Sequence, residues 1–173
     1  MNVSEWIVEY LESLGVEHVF TVSGGGSIFL CDALARARRL RYVCCHHEQA
    51  CGYAAEAYSR IKGLGVALVT SGPGGTNIVS ACAAAWLDSV PVLFISGQAF
   101  LNQTITNHPG LRQLGVQEIN IVDIVRPITK FSIMCEKASL VPSQFEVAVR
   151  YATIPRMGPV WLDIPGDVQN ARI

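Results

Sequence analysis

The chain has 173 residues, with 13 lysines and arginines against 14 aspartates and glutamates. A formal net charge of −1 argues against nucleic acid or an anionic membrane surface as partner, because it leaves no basic patch to collect phosphates. Half the residues are hydrophobic and only 16% are charged, which excludes a disordered chain and implies surface buried against a neighbouring domain or subunit.

Apolar residues at Val3, Ile7, Leu11 and Leu14 recur at helical spacing, and Gly15 stops that helix. Residues 16–22 read as a strand running into Ser23-Gly24-Gly25-Gly26-Ser27. A helix is expected over 28–37, an extended segment over 40–45, and an Ala-rich helix over 49–62, closed by Gly63 and Gly65. The apolar strand 66–70 leads into Ser71-Gly72-Pro73-Gly74-Gly75-Thr76-Asn77, followed by a small-residue helix over 78–87 and a strand over 91–96. Residues 97–115 turn polar and read as a long surface loop. A short helix over 120–125, a strand over 129–134, a helix over 143–153 and a last strand over 159–164 complete the chain. Strands alternating with helices, apolar on both faces, predict an α/β fold: a single doubly wound domain over residues 1–173, with a mainly parallel sheet of about six strands and helices on both faces. No run reaches the ~18 apolar residues of a membrane span, and Met1 to Trp6 lack a signal peptide's basic start. Cys31, Cys44, Cys45, Cys51, Cys82 and Cys135 form no C-x-x-C pair and lie among apolar residues, so reduced thiols and a cytoplasmic location are expected.

Ligands of such sheets sit beyond the carboxyl ends of the strands, where residues 23–27, 46–49 and 71–77 fall. Neither glycine-rich loop carries the lysine of a Walker loop or the third glycine of a dinucleotide fingerprint. Their glycines serve tight turns and close packing, or bring backbone against a flat, uncharged part of a ligand. His46 and His47 are adjacent and have no partner at metal-ligand spacing, so no metal site is expected. Ser71 and Thr76 lack His and Asp companions in motif spacing. Glu48 stands where a strand turns into a helix with little polarity around it. It either complements the helix dipole or faces a ligand, ready for proton chemistry.

Several segments together resemble the pyrimidine-binding domain of thiamine diphosphate-dependent enzymes, in the acetolactate synthase-like branch. They are Phe20-Thr-Val-Ser-Gly-Gly-Gly-Ser27, His47-Glu-Gln-Ala-Cys-Gly-Tyr-Ala-Ala-Glu-Ala-Tyr-Ser-Arg60 and Thr70-Ser-Gly-Pro-Gly-Gly-Thr-Asn77. Leu87-Asp-Ser-Val-Pro91, Ile95-Ser-Gly-Gln98, Pro127-Ile-Thr-Lys130 and Gly158-Pro-Val-Trp-Leu-Asp-Ile-Pro165 extend the resemblance, and Leu111-Arg-Gln-Leu-Gly-Val-Gln-Glu118 resembles members tied to polysaccharide and unusual-sugar pathways.

The resemblance implies that Glu48 hydrogen-bonds N1′ of the cofactor's aminopyrimidine and so promotes loss of the C2 proton, ahead of attack on a small 2-oxo acid. It also implies cofactor contacts from Gly24, Gly25, Gly26, Thr70, Pro73, Gly74 and Asn77, with Gln117 near the substrate. Ser23, Gly26 and Val116 stand where the family has proline, alanine and often phenylalanine, which bears on substrate choice. The family's Gly-Asp-Gly segment with its later Asn is missing, since Val168 follows Gly166-Asp167. Thiamine diphosphate is therefore expected to be shared with a partner subunit, and Mg2+ to be held by a diphosphate-binding domain of the same or a partner chain. A homodimer or tetramer, and a piece of a longer enzyme in preference to a subunit of a split one, are expected. FAD is possible in this branch but not indicated here. The alternative is a non-catalytic Rossmann-like nucleotide-binding module or regulatory subunit.

Overall fold

The computed structural model describes residues 1–108 and 110–173. Six strands, β1 (His18–Thr21), β2 (Arg41–Cys44), β3 (Gly65–Val69), β4 (Val92–Gln98), β5 (Phe131–Met134) and β6 (Val160–Pro165), form one sheet in the order β2-β1-β3-β4-β6-β5, and every pairing is parallel. The central strands are buried along their whole length, so their sequences are continuous apolar runs and successive residues feed opposite layers. Val66, Leu68, Leu93, Ile95, Val160 and Leu162 enter one core with α1 (Val3–Ser13), α2 (Ile28–Ala35) and α7 (Val141–Thr153). Ala67, Val69, Val92, Phe94 and Trp161 enter the other, with α3 (Glu48–Lys62), α5 (Val79–Leu87) and α6 (Ile121–Val125).

Local chemistry sets these elements. A capping box starts α1: Asn2 Oδ1 accepts from the Glu5 amide and Glu5 Oε2 accepts from the Asn2 amide, both at 2.9 Å. Trp6 stacks on Tyr10, and both meet the edge of Phe145 on α7. The second layer is built from small residues, which brings backbones together. A Cβ placed on Gly52 would stand 2.4 Å from that of Ala81, and one on Gly65 only 1.9 Å from the Ala55 carbonyl oxygen.

The connection after β1 leaves through α2 in one layer, and the connection after β3 leaves through α5 in the other. β1 and β3 are neighbours, so a crevice opens between their carboxyl ends.

The elements differ from the sequence expectation in four places. β2 is an edge strand with all four residues exposed, so its apolar residues mark an uncovered surface and not a second buried face. β4 runs on to Gln98, and the segment after it holds 3-10 turns at Leu101–Gln103 and Ile105–Asn107. The glycine-rich loop after β3 closes into a short helix α4 (Pro73–Asn77), because Gly72 takes φ +57° and Pro73 presets the first helical turn. A short helix α8 (Gly166–Asn170) follows β6.

Gly65→Ala should destabilise the chain by about 1–3 kcal/mol, since α3 must move off β3 to admit the methyl group. Urea unfolding checks this. A lowered midpoint with an unchanged slope is expected, and an unchanged midpoint would contradict the close approach.

Candidate functional site

Three loops meet at the carboxyl ends of β1, β2 and β3. Glu48 is the first residue of α3, and the capping position before it belongs to His47, whose Nδ1 accepts from the Gln49 amide at 3.2 Å. Glu48 is thus not needed as the cap. Its half-buried carboxylate instead crosses to α4, where Oε2 accepts from Asn77 Nδ2 at 3.0 Å. Oε1 lies over Gly74, 3.6 Å from where a Cβ on that glycine would be. Among the described residues Glu48 enters no ion pair.

Thr70, just beyond β3, is the hub of the cluster. Its Oγ1 accepts from the Gly26 amide at 3.0 Å. A Cβ on Gly24 would stand 2.5 Å from the Thr70 Cβ, and one on Gly74 2.7 Å from its methyl group. Gly24 and Gly74 are therefore glycines because a β-branched side chain fills the space between them, and Gly26 because a Cβ there would stand 2.6 Å from Ser71 Oγ. Gly25 meets nothing within 4 Å, and Pro73 is exposed at the start of α4.

Gln117 occupies the far side of the same loop. It is exposed at φ +56°, and its carbonyl oxygen lies 2.2 Å from where a Cβ on Gly72 would be. With Gly25, Gly26, Ser71, Gln98 and Phe100 it lines a cleft of about 260 Å³. The structure therefore gathers Glu48, Thr70, Gly74, Asn77, Gly24 and Gly26 into one cluster and sets Gln117 in an adjoining cleft. The two groups share Gly26 and the loop after β3.

Beneath them lies a polar network to which sequence reasoning gave no role. Asp163, on β6, is fully buried and accepts from Ser96 Oγ at 2.6 Å and Gln98 Nε2 at 2.9 Å. Ser96 Oγ in turn accepts from Trp161 Nε1 at 2.8 Å. Gln98 Nε2 also donates to the Ile119 carbonyl at 2.9 Å, and its Oε1 accepts from the Ala99 amide. Glu118 takes the amides of Ile105 and Leu114. The segment carrying Gln117 is thereby tied to the ends of β4 and β6. Burial pushes the Asp163 carboxyl up to about 7; the Ser96 and Gln98 hydrogen bonds oppose the rise and Glu118 adds to it. The available signal was three polar residues at the ends of strands otherwise apolar throughout.

Among the described residues no three His, Cys, Asp or Glu side chains are grouped to hold a metal ion. No described helix is long and apolar enough to cross a membrane. The six cysteines are free, and Cys44 is exposed on β2, not sheltered among apolar neighbours.

Residues 1–124 match the family described as thiamine pyrophosphate enzyme, N-terminal TPP binding domain. The acetolactate synthase isozyme 1 large subunit of Escherichia coli (strain K12) is 37% identical over 169 residues, covering 97% of this chain and 29% of that protein. The acetolactate synthase large subunit of Corynebacterium glutamicum is 38% identical over 177 residues, covering 100% of this chain and 27% of that protein. The chloroplastic acetolactate synthase of Arabidopsis thaliana is 42% identical over 165 residues, covering 95% of this chain and 24% of that protein. The chain belongs to the thiamine pyrophosphate enzyme family, as an acetolactate synthase-like N-terminal domain. It spans less than a third of the length of these relatives. A non-catalytic nucleotide-binding module is not favoured by these matches.

Asp163 gives a pH prediction. Its folded value lies above its ordinary 3.8, so between the two the unfolded chain is ionised while the folded chain keeps its proton. The stability from this group is complete below about pH 4 and is lost as pH rises to about 7, by about 4 kcal/mol. Asp163→Asn keeps an acceptor for Gln98 and cannot ionise. Urea melts from pH 4 to 8 should therefore show the variant gaining on the wild type as pH rises, and a constant difference would contradict the burial argument.

Proposed function

We propose that this chain is the pyrimidine-binding and cofactor-activating domain of a thiamine diphosphate-dependent 2-oxo acid decarboxylase or carboligase. The observation that carries the reading is the placing of Glu48, a carboxylate at the switch-point crevice held by one neutral donor, with its other oxygen over a glycine. The donor set fits the pyrimidine end of the cofactor. Residues 22–27, 45–47, 70–77 and 115–119 contain no lysine or arginine, so the crevice suits a flat, uncharged heterocycle better than a phosphate. Gly24 and Gly74 pack on Thr70 and Gly26 on Ser71, so these three positions place no side chain of their own between the loops and such a ring.

In this reading Glu48, Thr70, Pro73, Gly74 and Asn77 hold the pyrimidine ring, Gly24, Gly25 and Gly26 form the facing wall, and Gln117 meets the substrate. When bound, thiamine diphosphate supplies the acidic carbon that adds to a 2-oxo acid and takes up the electron pair left by decarboxylation. Glu48 serves by holding a proton at its carboxylate against the ring nitrogen, and Asn77 fixes the orientation of that carboxylate. The diphosphate and its Mg2+ would be held by a diphosphate-binding domain of the same or a partner chain. The whole enzyme would be a cytoplasmic homodimer or tetramer.

The test uses the enzyme complete with its diphosphate-binding domain. Glu48→Gln keeps the hydrogen bond to Asn77 but cannot hold the ring proton as a carboxylate does. Exchange of the cofactor C2 proton, followed by NMR, should slow by about 10²–10⁴-fold with the fold intact. Exchange at the wild-type rate would remove Glu48 from the chemistry.

A further inference from the structure

The Gly26 peptide is gripped at both ends. Its amide donates to Thr70 Oγ1 at 3.0 Å, and its carbonyl accepts from Gln169 Nε2 at 2.6 Å. Gln169 lies on α8, outside residues 1–124, and is fully buried. Its second Nε2 hydrogen goes to the Ile164 carbonyl at 2.7 Å, so one amide group bridges the end of β6 and the glycine loop. The Gln169 backbone is fixed in turn: Ser4 Oγ donates to its carbonyl at 2.9 Å, and the Val3 amide donates to Ala171. Gly97 on β4 completes the seat, since a Cβ there would stand 2.0 Å from the Gly26 oxygen.

Stability alone does not account for this side chain. Among the described residues Gln169 Oε1 has no hydrogen-bond partner, and a buried amide with one end unsatisfied is a poor choice for filling a core. What its other end does is select one position for a loop that lines the crevice. We infer that Gln169 is a positioning residue for the proposed cofactor site, holding the Gly26 carbonyl so that Gly24, Gly25 and Gly26 present their backbone to the bound pyrimidine. This rests on the reading of the site given above.

Two variants of the complete enzyme test it. Gln169→Met keeps the bulk and removes both donors. Gln169→Glu retains one O–H donor while protonated and none when ionised. Amide exchange at Gly26 should quicken at least tenfold in Gln169→Met, while the amides of Val66 to Val69 keep their wild-type protection. The calorimetric Kd for thiamine diphosphate with Mg2+ should rise about tenfold. In Gln169→Glu the Kd should approach the wild-type value at low pH and weaken as pH rises. That pH profile decides the matter should the Met variant fail to fold. Unchanged exchange at Gly26 would show that Gln169 does not hold the loop. Faster exchange with an unchanged Kd, or a pH-independent Kd in Gln169→Glu, would show that holding it does not serve the cofactor. A wild-type enzyme that binds no thiamine diphosphate would overturn the proposed function itself, and that is read before either variant is made.

Discussion

The packing of Thr70 against Gly24 and Gly74 fixes everything built at the mouth of this sheet. Thr70 stands at the end of the central strand β3, and the loops after β1 and β3 can approach it only where side chains are missing, at Gly24 and Gly74. The same residue accepts the Gly26 amide, so one side chain sets both the separation and the register of the two loops. Glu48 and Asn77 are then neighbours as a consequence. α3 starts beside the crevice, α4 closes directly after Thr70, and the carboxylate and the amide have one short path between them. An alanine at Gly24 or Gly74 would act on the site through displaced backbone, although neither change removes a polar group.

A second constraint works from below. Strands buried on both faces leave no room for charge, yet Asp163 sits on one of them with Ser96 and Gln98 as its donors. Such a carboxyl is costly unless its hydrogen bonds are made or its proton retained; here the hydrogen bonds are made and burial favours the protonated form. The return is positional. Gln98 reaches past Asp163 to the Ile119 carbonyl, so the irregular segment bearing Gln117 is registered to the rigid sheet and not left to its own turn preferences. Gln169 acts in the same way on the opposite loop. Two buried side-chain amides thus fix the two irregular walls of the crevice, one on each side of β3.

The sheet, its layers and the placing of Glu48 were legible in the sequence because they follow from local pattern. Apolar runs such as 66–70 and 91–96 have few folded alternatives, and a carboxylate before an Ala-rich helix marks a helix start. The edge strand β2 misled, because Tyr42 and Val43 are apolar without being covered. α4 was hidden because glycines are poor helix formers, and only the Gly72-Pro73 geometry makes a turn of helix there. The roles of Asp163 and Gln169 were illegible for a different reason. Their partners are distant in the chain, with Gln169 lying 143 residues from Gly26, and no local rule of spacing reports a contact made by tertiary folding. Asp163 fell within a segment quoted for the family resemblance, but a motif records identity and not which neighbours a side chain meets.

The chemistry of the crevice also says what it lacks. Glu48 is acidic, its nearest partner is a neutral amide, and residues 22–27, 45–47, 70–77 and 115–119 around it carry no lysine or arginine. A thiamine diphosphate molecule carries its negative charge at the end remote from its pyrimidine ring. Without lysine or arginine here, this crevice offers that end mainly neutral and backbone dipoles, which are weaker partners for a diphosphate than a lysine or arginine would be. The neutral wall for the heterocycle that the proposed function places here is therefore consistent with the electrostatics of the crevice.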